Sequence, residues 1–572
     1  MIHQKSDDVF ETDLLVVGGG VAGLFAGIKA REQNPGLNVL LVDKGYPGAS
    51  GCSVFAAGTL PYWQPGEDYD NYLRDIVEHN SEYLIDQDYL EIAVRESYDR
   101  FRDLLSYGVS FVRDASGNVK RIPTLTSAYG HCSIFNGGPN LMWRVRAATK
   151  QRGVRMLDRI VITDLLTRDG RCIGAVGFHG RNGRFQLFKA KATVMAAGTM
   201  YSNRGQMGSA GATGDGPAIA YRAGVEMRNL EQFGHASHGP KGFGGAPGLH
   251  VIFGSGGILV NAKGERFMER YNPVLKEEAR RSETSRAILM EWREGRGPCY
   301  LDCTHLLPEG IANIKHALPL LTRMLATRGI DLARDKLEWV VFPSGFLHLG
   351  GVRLRNADGE VNVQGLWVVG ANGDYCGGAD ATPVGSLCGS SVEGARGGAR
   401  AAAFAATAPH VEVDGRAVQD LRAVALAPLH RRRRSELDPD RVTRLVLEPI
   451  FRDMNILKSE EGLRRATQQF GDLRETIAQV FAADPHQLKK AHDIKNMLQV
   501  ADLSARASLL RTESRQSHYR LDYPQRDDVN WLKWIIVRRV GGEPRIWTED
   551  VPIDKWKYQP PRTPAGGGEA SK

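Results

Sequence analysis

The stretch Asp13–Lys44, DLLVVGGGVAGLFAGIKAREQNPGLNVLLVDK, decides the fold. An apolar run, Leu14, Leu15, Val16 and Val17, stops at Gly18, and Gly18, Gly20 and Gly23 fit G-x-G-x-x-G ahead of an apolar, alanine-rich segment that reads as helix. A second apolar run, Val39 to Val42, ends in Asp43, about twenty residues past the last glycine, with Lys44 behind it. A βαβ dinucleotide unit needs this spacing, because the glycines let backbone amides approach a pyrophosphate at a helix N-terminus while the acid accepts a ribose hydroxyl. GxGxxG alone is a weak signal; strand, helix, strand and terminal acid in register make it specific. A carboxylate at Asp43 also disfavours a 2′-phosphate and so argues against NADP.

At 572 residues the chain exceeds what one core usually holds, which implies two or three domains. Charged residues make up 24% and hydrophobics 42%, ordinary for a water-soluble globular protein. The net charge of +8 is a mild excess, part of it in the run Arg431 to Arg434. With no aromatic-rich basic motif beside it, that run reads as a solvated face or linker surface, or a docking patch for an acidic redox partner, and nucleic acid is not expected. No apolar run reaches the length of a membrane span, and Met1 to Thr12 lacks the pattern of a secretory signal. Cys52, Cys132, Cys172, Cys299, Cys303, Cys376 and Cys388 are scattered, and none forms C-x-x-C. The chain is therefore expected to carry no iron–sulfur or zinc site of its own and to be cytoplasmic, peripheral at most to a membrane complex.

Beyond Lys44, the small-residue run GYPGASGCSVFAAGTL suits a loop and helix packed under a flat cofactor. Tyr72, Ile76, Leu90, Ala93, Tyr98, Phe101, Leu104 and Leu105 recur at helical spacing. Val154 to Gly198 alternates as successive strands with Gly-centred turns, and its last piece, Thr193 to Gly198, is a buried strand ending on Ala196, Ala197 and Gly198, where chain and cofactor would meet. A Pro- and Ala-rich, then Arg-rich stretch up to about 436 reads as a linker. Leu488, Ala491, Ile494, Leu498, Ala501, Ala505 and Leu509 predict a long amphipathic helix, and the tail PPRTPAGGGEASK offers nothing to fold around.

Four further segments occur in order: GATGDGPAIAYRAGVEM (Gly211–Met227), GGILVNAKGERFMERY (Gly256–Tyr271), GLWVVGANGD (Gly365–Asp374) and SRQSHYRLDYPQRDDVNWLK (Ser514–Lys533). On these the chain resembles the flavoprotein subunits of the succinate dehydrogenase and fumarate reductase family, which includes L-aspartate oxidase and adenylylsulfate reductase, from about residue 12 to 533. The resemblance implies an α/β protein: a Rossmann-like FAD-binding domain with an inserted α+β capping domain and a C-terminal helical domain. Mapped onto this chain, residues 1–233 are the first FAD-binding half, 234–345 the cap, 346–408 the second half, 437–535 the helical domain and 536–572 a partly disordered extension.

The same resemblance implies the cofactor contacts. Gly18, Gly20, Gly23, Asp43 and Lys44 serve the ADP half of FAD; Ser53, Gly58, Ala197, Asp215, Gly350 and Gly351 line the flavin half. The glutamate that usually follows G-L-x-x-x-G is Ala371, which leaves Asp374 as the ribityl partner, while Ser386 and Ser391 belong to a helix start that could lend amides to the pyrimidine oxygens. Where several members carry S-H-T-V-A-A and a histidyl-FAD bond, this chain has Cys52 in the histidine's slot, so non-covalent FAD is expected, with a cysteinyl link the alternative.

In the dicarboxylate enzymes of the family a cap arginine transfers the proton, within L-A-S-R-D-V-V-S-R. The segment EARRSETSR places Arg281 there, with Arg286 as the second arginine and Ser282 in place of the aspartate; the competing reading is an interdomain cation paired with Glu277 or Glu278. Most ligands of the substrate carboxylates are missing. Q-F-H-P-T becomes Gln232-Phe233-Gly234-His235; the Thr-Glu pair aligns with Leu249 and His250; the arginine of R-G-E-G-G aligns with Phe253. H-Y-T-M-G-G becomes Phe346 to Gly351 with the imidazole at His348, and the arginine of G-A-N-R-L-G has no counterpart in Gly378 to Pro383. A carboxylate buried without such donors pays several kcal/mol of desolvation, so the expected activity is FAD-dependent dehydrogenation or reduction, by hydride transfer at N5, of a substrate other than a C4 dicarboxylate. His235, His250 and His348 are candidate proton carriers beside Arg281. Electrons would pass to or from a separate iron–sulfur or quinone-linked partner. Two alternatives remain at this level: an adenylylsulfate-reductase-like flavoprotein, and a non-catalytic flavin electron-transfer or assembly subunit. The charge-dense 514–533 segment reads as an ion-paired interface between flavin and helical domains.

Overall fold

The computed structural model describes residues 8–56, 58–123, 129–201, 210–235, 238–243, 250–342, 347–374, 378–379 and 387–561, apart from the side chains of His235, His250, Ala317, Pro319, Leu320, Leu347 and His348. Among these residues the founding βαβ unit forms as read: β1 (Asp8–Val17), α1 (Val21–Gln33) and β2 (Val39–Val42). β1 lies parallel to β2, Leu14 opposite Val39 through Val17 opposite Val42, and on its other edge parallel to Phe185–Met195. Leu14, Leu15 and Val16 have no exposed surface, because a parallel sheet is covered on both faces. The seven-stranded sheet runs Arg155–Leu157, β2, β1, Phe185–Met195, Arg171–His179 and Ile160–Arg168. The last three strands are an antiparallel meander, turned at Asp169 and Gly170, both with positive φ as a two-residue hairpin requires. Much later in the chain, Leu366–Val368 returns to pair parallel with Phe185–Met195, so the sheet is completed by two distant pieces of sequence.

The helix Leu387–Thr407 lies on α1 at backbone contact. A Cβ at Gly394 would stand 2.2 Å from Ala22 O, and one at Gly398 2.3 Å from Ala26 O. Only glycine permits that approach.

Residues 234–345 contain an antiparallel sheet, ordered His238–Pro240, Leu337–Val341, Cys299–Asp302 and Ile258–Val260, backed by Arg281–Arg293. The chain enters and leaves this cap through a two-stranded ribbon, Phe233–His235 against Leu347–His348. Trp339, Phe253 and Ile252 of the cap share one core with Val442, Ile450, Phe470 and Ala501 of the C-terminal helices Pro439–Asp453, Glu460–Ala478 and Pro485–Leu510.

Three stretches differ from their sequence reading. The expected linker contains a helix, Gly415–His430, whose Val418, Ala425 and Leu426 pack on Val161, Val176 and Phe178 of the sheet; its apolar residues recur at three to four, a period masked by Pro428 and the alanine content. Pro485–Leu510 is buried around nearly its whole circumference, including His492, Asp493, Asn496 and Asp502, because the flavin domain, the neighbouring helices and a hairpin enclose it. That hairpin, Lys533–Val540 with Glu543–Asp550, lies largely in the expected extension, yet it adds to Met227–Arg228 and Gly351–Val352 as a four-stranded sheet. Residues 562–572, most of the tail, lie outside the described part.

The 514–533 segment is an ion-paired seal. Arg511, Glu513 and Arg515 are fully buried, with Glu513 accepting from Arg511 Nη1 at 2.7 Å and from Arg515 Nε and Nη2 at 2.8 Å each. Arg511 Nε also donates to Glu231, before the ribbon, at 2.9 Å, and Arg515 Nη1 to Glu82 O at 2.6 Å. Arg520 pairs with Asp522 and Arg526 with Asp528, and the Asp527 side chain caps the turn that follows. Two guanidiniums thus lean on one carboxylate in a dry environment. Removing its charge leaves Arg511 with Glu231 alone and Arg515 with Asp528 alone, at 2.9 Å each. Glu513→Gln is expected to lower unfolding free energy by about 1.5–3 kcal/mol, read as a shifted denaturant midpoint with unchanged slope.

Candidate active site

At the end of β1 the chain turns through Gly18 (φ +111°), where a Cβ would stand 2.2 Å from Ala196 O; at Gly23 it would stand 1.9 Å from Gly18 O. These two positions press α1 onto the strand ends and leave its N-terminus, capped by Gly20, open to an anion. Ser53 stands over it, its Oγ accepting from Val21 N at 3.3 Å. Asp43 at the end of β2 accepts from Gly19 N and Gly45 N, both at 2.6 Å, and from Ser50 Oγ at 2.9 Å. Gly58 (φ +91°) lies on the same side, its carbonyl accepting from Phe135 N at 2.7 Å.

Lys44 and Asp215, both expected at the cofactor, join each other. Lys44 Nζ donates to Asp215, to Thr213 Oγ1 at 2.7 Å and to Asp493 of the helical domain at 3.1 Å, and Asn496 completes the cluster by donating to Asp215 at 2.8 Å. Burial opposes the Lys44 charge, but Asp215 and Asp493 outweigh it and hold the ammonium above its ordinary pKa. Burial likewise opposes the Asp493 carboxylate, and Lys44 and Lys489 hold it well below the usual range.

Farther along the sheet, Gly350 and Gly351 thread between carbonyls: a Cβ would stand 2.0 Å from Asn229 O at the first and 2.4 Å from Gly373 O at the second. Asp374 beside them is fully buried and bonded to Arg228 Nε, whose guanidinium lies 4.5 Å from the Trp534 ring centre; its Oδ1 has no hydrogen-bond partner among the described residues. Burial raises its carboxyl pKa and Arg228 partly offsets this. Ser391 is buried and donates to Leu387 O within its own helix at 2.7 Å, whereas Ser386 lies outside the described residues.

The cap brings its candidates toward this edge. Arg281 opens the helix Arg281–Arg293. Glu277, offered as its partner, is engaged by Arg266 at 2.7 Å. His348 pairs with Phe233 across the ribbon and His235 with Leu347, while His250 opens the short helix His250–Gly254; the three imidazoles lie outside the described side chains. Beneath the ribbon the fully buried Lys458 donates to Phe233 O at 2.6 Å, and burial, aided by Arg520, lowers its pKa to about 7.

Comparison with known proteins fits this geometry. Residues 13–392 match the family model described as FAD binding domain, and residues 448–564 the one described as Fumarate reductase flavoprotein C-term. The chain is 30% identical over 562 residues to one of the subunits of the fumarate reductase (CoM/CoB) of Methanothermobacter marburgensis, covering 93% of this chain and 98% of that one. The chain belongs to the fumarate reductase and succinate dehydrogenase flavoprotein family. Its fold matches the FrdA chain of E. coli quinol fumarate reductase with a TM-score of 0.86 at 24% identity, over 98% of this chain and 100% of that one. Adenylylsulfate reductase from Archaeoglobus fulgidus matches with 0.77 at 21%, over 95% and 96%. The protein is thus an FAD-dependent oxidoreductase of this family, and no helix among its described residues is long and apolar enough to cross a membrane.

The residues fit such a cofactor. Asn372 is fully buried, its Oδ1 accepting from Ala197 N at 3.1 Å, while its Nδ2 has no hydrogen-bond partner among the described residues and lies where a Gly216 Cβ would collide with it. A buried donor left open near the strand end, together with the helix N-terminus that opens at Gly20, suits a long polar ligand. Sequence reading passes over Asn372 because it weighs the neighbouring slots, Ala371 and Asp374. It misses Tyr201 too: burial pushes this phenol above its usual pKa, the Cys52 thiol adding to this and the Arg281 guanidinium opposing it, so the three share one electrostatic neighbourhood. No periodic signal marks a residue just past a strand end. Cys52 is accessible, yet its surroundings push the thiol up to about 11.

Behind Asn372, Gly370 N donates to Glu393 of the helix Leu387–Thr407, and burial raises this carboxyl to about 8 from 4.5. The folded form therefore keeps a proton that the unfolded chain gives up. Its contribution is full below about pH 4.5 and is lost as pH rises to about 8. Glu393→Gln, neutral at every pH, is expected to flatten that part of the profile, with thermal midpoints across pH 5–9 falling less than in the parent.

Proposed function

We propose that the enzyme oxidises or reduces a substrate other than a C4 dicarboxylate and exchanges the electrons with a separate redox partner. The observation that carries this reading is the lining of the cap. Phe253, aligned with a substrate-gripping arginine of the family, is buried with its ring 5.9 Å from Trp339 and 6.0 Å from His238. Ala379, two residues before the slot that lacks the second such arginine, is fully buried and its carbonyl accepts from Ser517 Oγ at 2.8 Å; the slot itself lies outside the described residues. A place that would have helped neutralise a dianion is thus committed to uncharged packing. An anionic acid there would lose its water without gaining its counter-charges.

FAD, when bound, supplies hydride acceptance or donation at N5. Asp43 is assigned the adenosine ribose, the α1 amides with Ser53 the pyrophosphate, Asn372 and Asp374 the ribityl chain, and the Gly350–Gly351 backbone the ring edge. Arg281, presented at a helix start beside Tyr201, orients the substrate and passes it a proton, with His250 as the relay to solvent. Cys52 makes a poor nucleophile at neutral pH, which supports non-covalent attachment. A quinol, which the name of the structurally similar E. coli enzyme includes, is a fitting source or sink for these electrons.

Three measurements test this. Under anaerobic conditions succinate should leave the flavin absorbance unbleached, while a panel of cyclic and unsaturated acids, amides and ketones should contain a compound that bleaches or reoxidises it. Against that compound Arg281→Gln should lose about 10²–10⁴ in turnover with its flavin spectrum intact, and full turnover in His250→Ala would reduce that histidine to packing. Acid precipitation should release the flavin into the supernatant; a yellow pellet would mean a covalent bond.

A further inference from the structure

A second cavity, of about 500 Å³, opens between the helices Gly415–His430, Glu460–Ala478 and Pro485–Leu510 and the hairpin Lys533–Asp550. That volume is in the range of small-molecule sites. Five cationic side chains face it against two carboxylates. Asp502 is already shared by Arg474 and by Arg506. Arg222 is likewise consumed, by Asp164, Asn496 and Gln499.

Three cations remain without a carboxylate among the described residues. Arg431, first of the arginine run that reads in sequence as a solvated face, is turned inward and donates to Val480 O at 2.7 Å. Arg539 reaches the carbonyls of Gly542 and Arg222. Lys495 is partly buried with no hydrogen-bond or ion-pair partner among the described residues, and burial together with Arg222, Arg431 and Arg539, partly offset by Asp164, lowers its pKa to about 8. Glu543, on the hairpin rim, is the one carboxylate of the lining that no cation engages among the described residues. The remaining wall is mainly apolar, with Val424, Pro428, Ile477 and Leu498, and carries the uncharged polar groups of Tyr221, His492 and Gln499. Crowded like charges over an apolar floor are a cost to the empty protein that an anion with an apolar stem would relieve.

We propose that this cavity, with Lys495, Arg431 and Arg539 at its head and Ile477 and Leu498 at its base, binds a small organic anion bearing a carboxylate or phosphate on an apolar stem. The ligand is either free in water or the headgroup end of an anionic lipid, two sources with the same chemistry.

The test is calorimetric titration of the full-length flavin-loaded protein with octyl phosphate, inorganic phosphate, octanol and phosphatidylglycerol vesicles. Saturable one-site binding of octyl phosphate is expected, with octanol and inorganic phosphate each at least about tenfold weaker; binding to vesicles instead would assign the lipid source. Lys495→Gln and Arg431→Gln should each weaken the favoured probe about tenfold or more, and Val424→Trp, which blocks the mouth without touching a charge, should abolish it while flavin absorbance and thermal midpoint stay at the parent's values. Failure of both octyl phosphate and vesicles to bind would overturn the proposal, as would unchanged affinity in a Lys495→Gln/Arg431→Gln double variant or equal affinity for inorganic phosphate.

Discussion

The structure depends on four places where main chain touches main chain. At Gly18 and Gly23 the first turn of α1 is drawn onto the strand ends, and at Gly394 and Gly398 the helix Leu387–Thr407 is drawn onto α1. A single methyl at any of them would occupy space held by a carbonyl. Because strain in a packed interior is transmitted and not absorbed, these contacts set where the α1 amides point and how far apart the two halves of the cofactor domain stand. The second half begins more than three hundred residues after the first, and small residues let it come back to the same helix.

Around this rigid centre the other units are fastened by buried charge. Glu513 binds two arginines, one reaching Glu231 before the ribbon and the other Glu82 of the flavin domain; Lys44 binds Asp215 and Asp493 across another boundary. Such clusters add little net stability over apolar packing, but each works in only one register. The cap is therefore tied by its core to the C-terminal helices while its two connecting strands cross back over Lys458. What faces the cofactor is set by this clamped arrangement, which holds the cap's core and the flavin domain in one register.

Much of this was legible. The glycine spacing and the acid at position 43 specified the βαβ unit, since backbone approach and periodicity are local properties; the ordered motifs from Gly211 to Lys533 carried the family. The dense charges after Ser514 read as an interface and are one. Less legible was anything depending on which neighbour arrives: Gly415–His430 looked like a linker because alanine and proline blur its period, and Arg431 looked solvated because its cavity is built from three remote elements.

By itself the sequence determined the nucleotide fold and the family, because both follow from spacing and from residue type at motif positions. Tertiary structure alone decided that Lys44 serves an interdomain ion cluster, that Asn372 turns a buried amide toward Ala197, that Tyr201 shares an electrostatic neighbourhood with Cys52 and Arg281, and that Lys495, Arg431 and Arg539 share a cavity without ion-paired carboxylates among the described residues. Burial and Coulomb interaction depend on distance in space, and residues hundreds of positions apart acquire that distance only when the chain closes on itself.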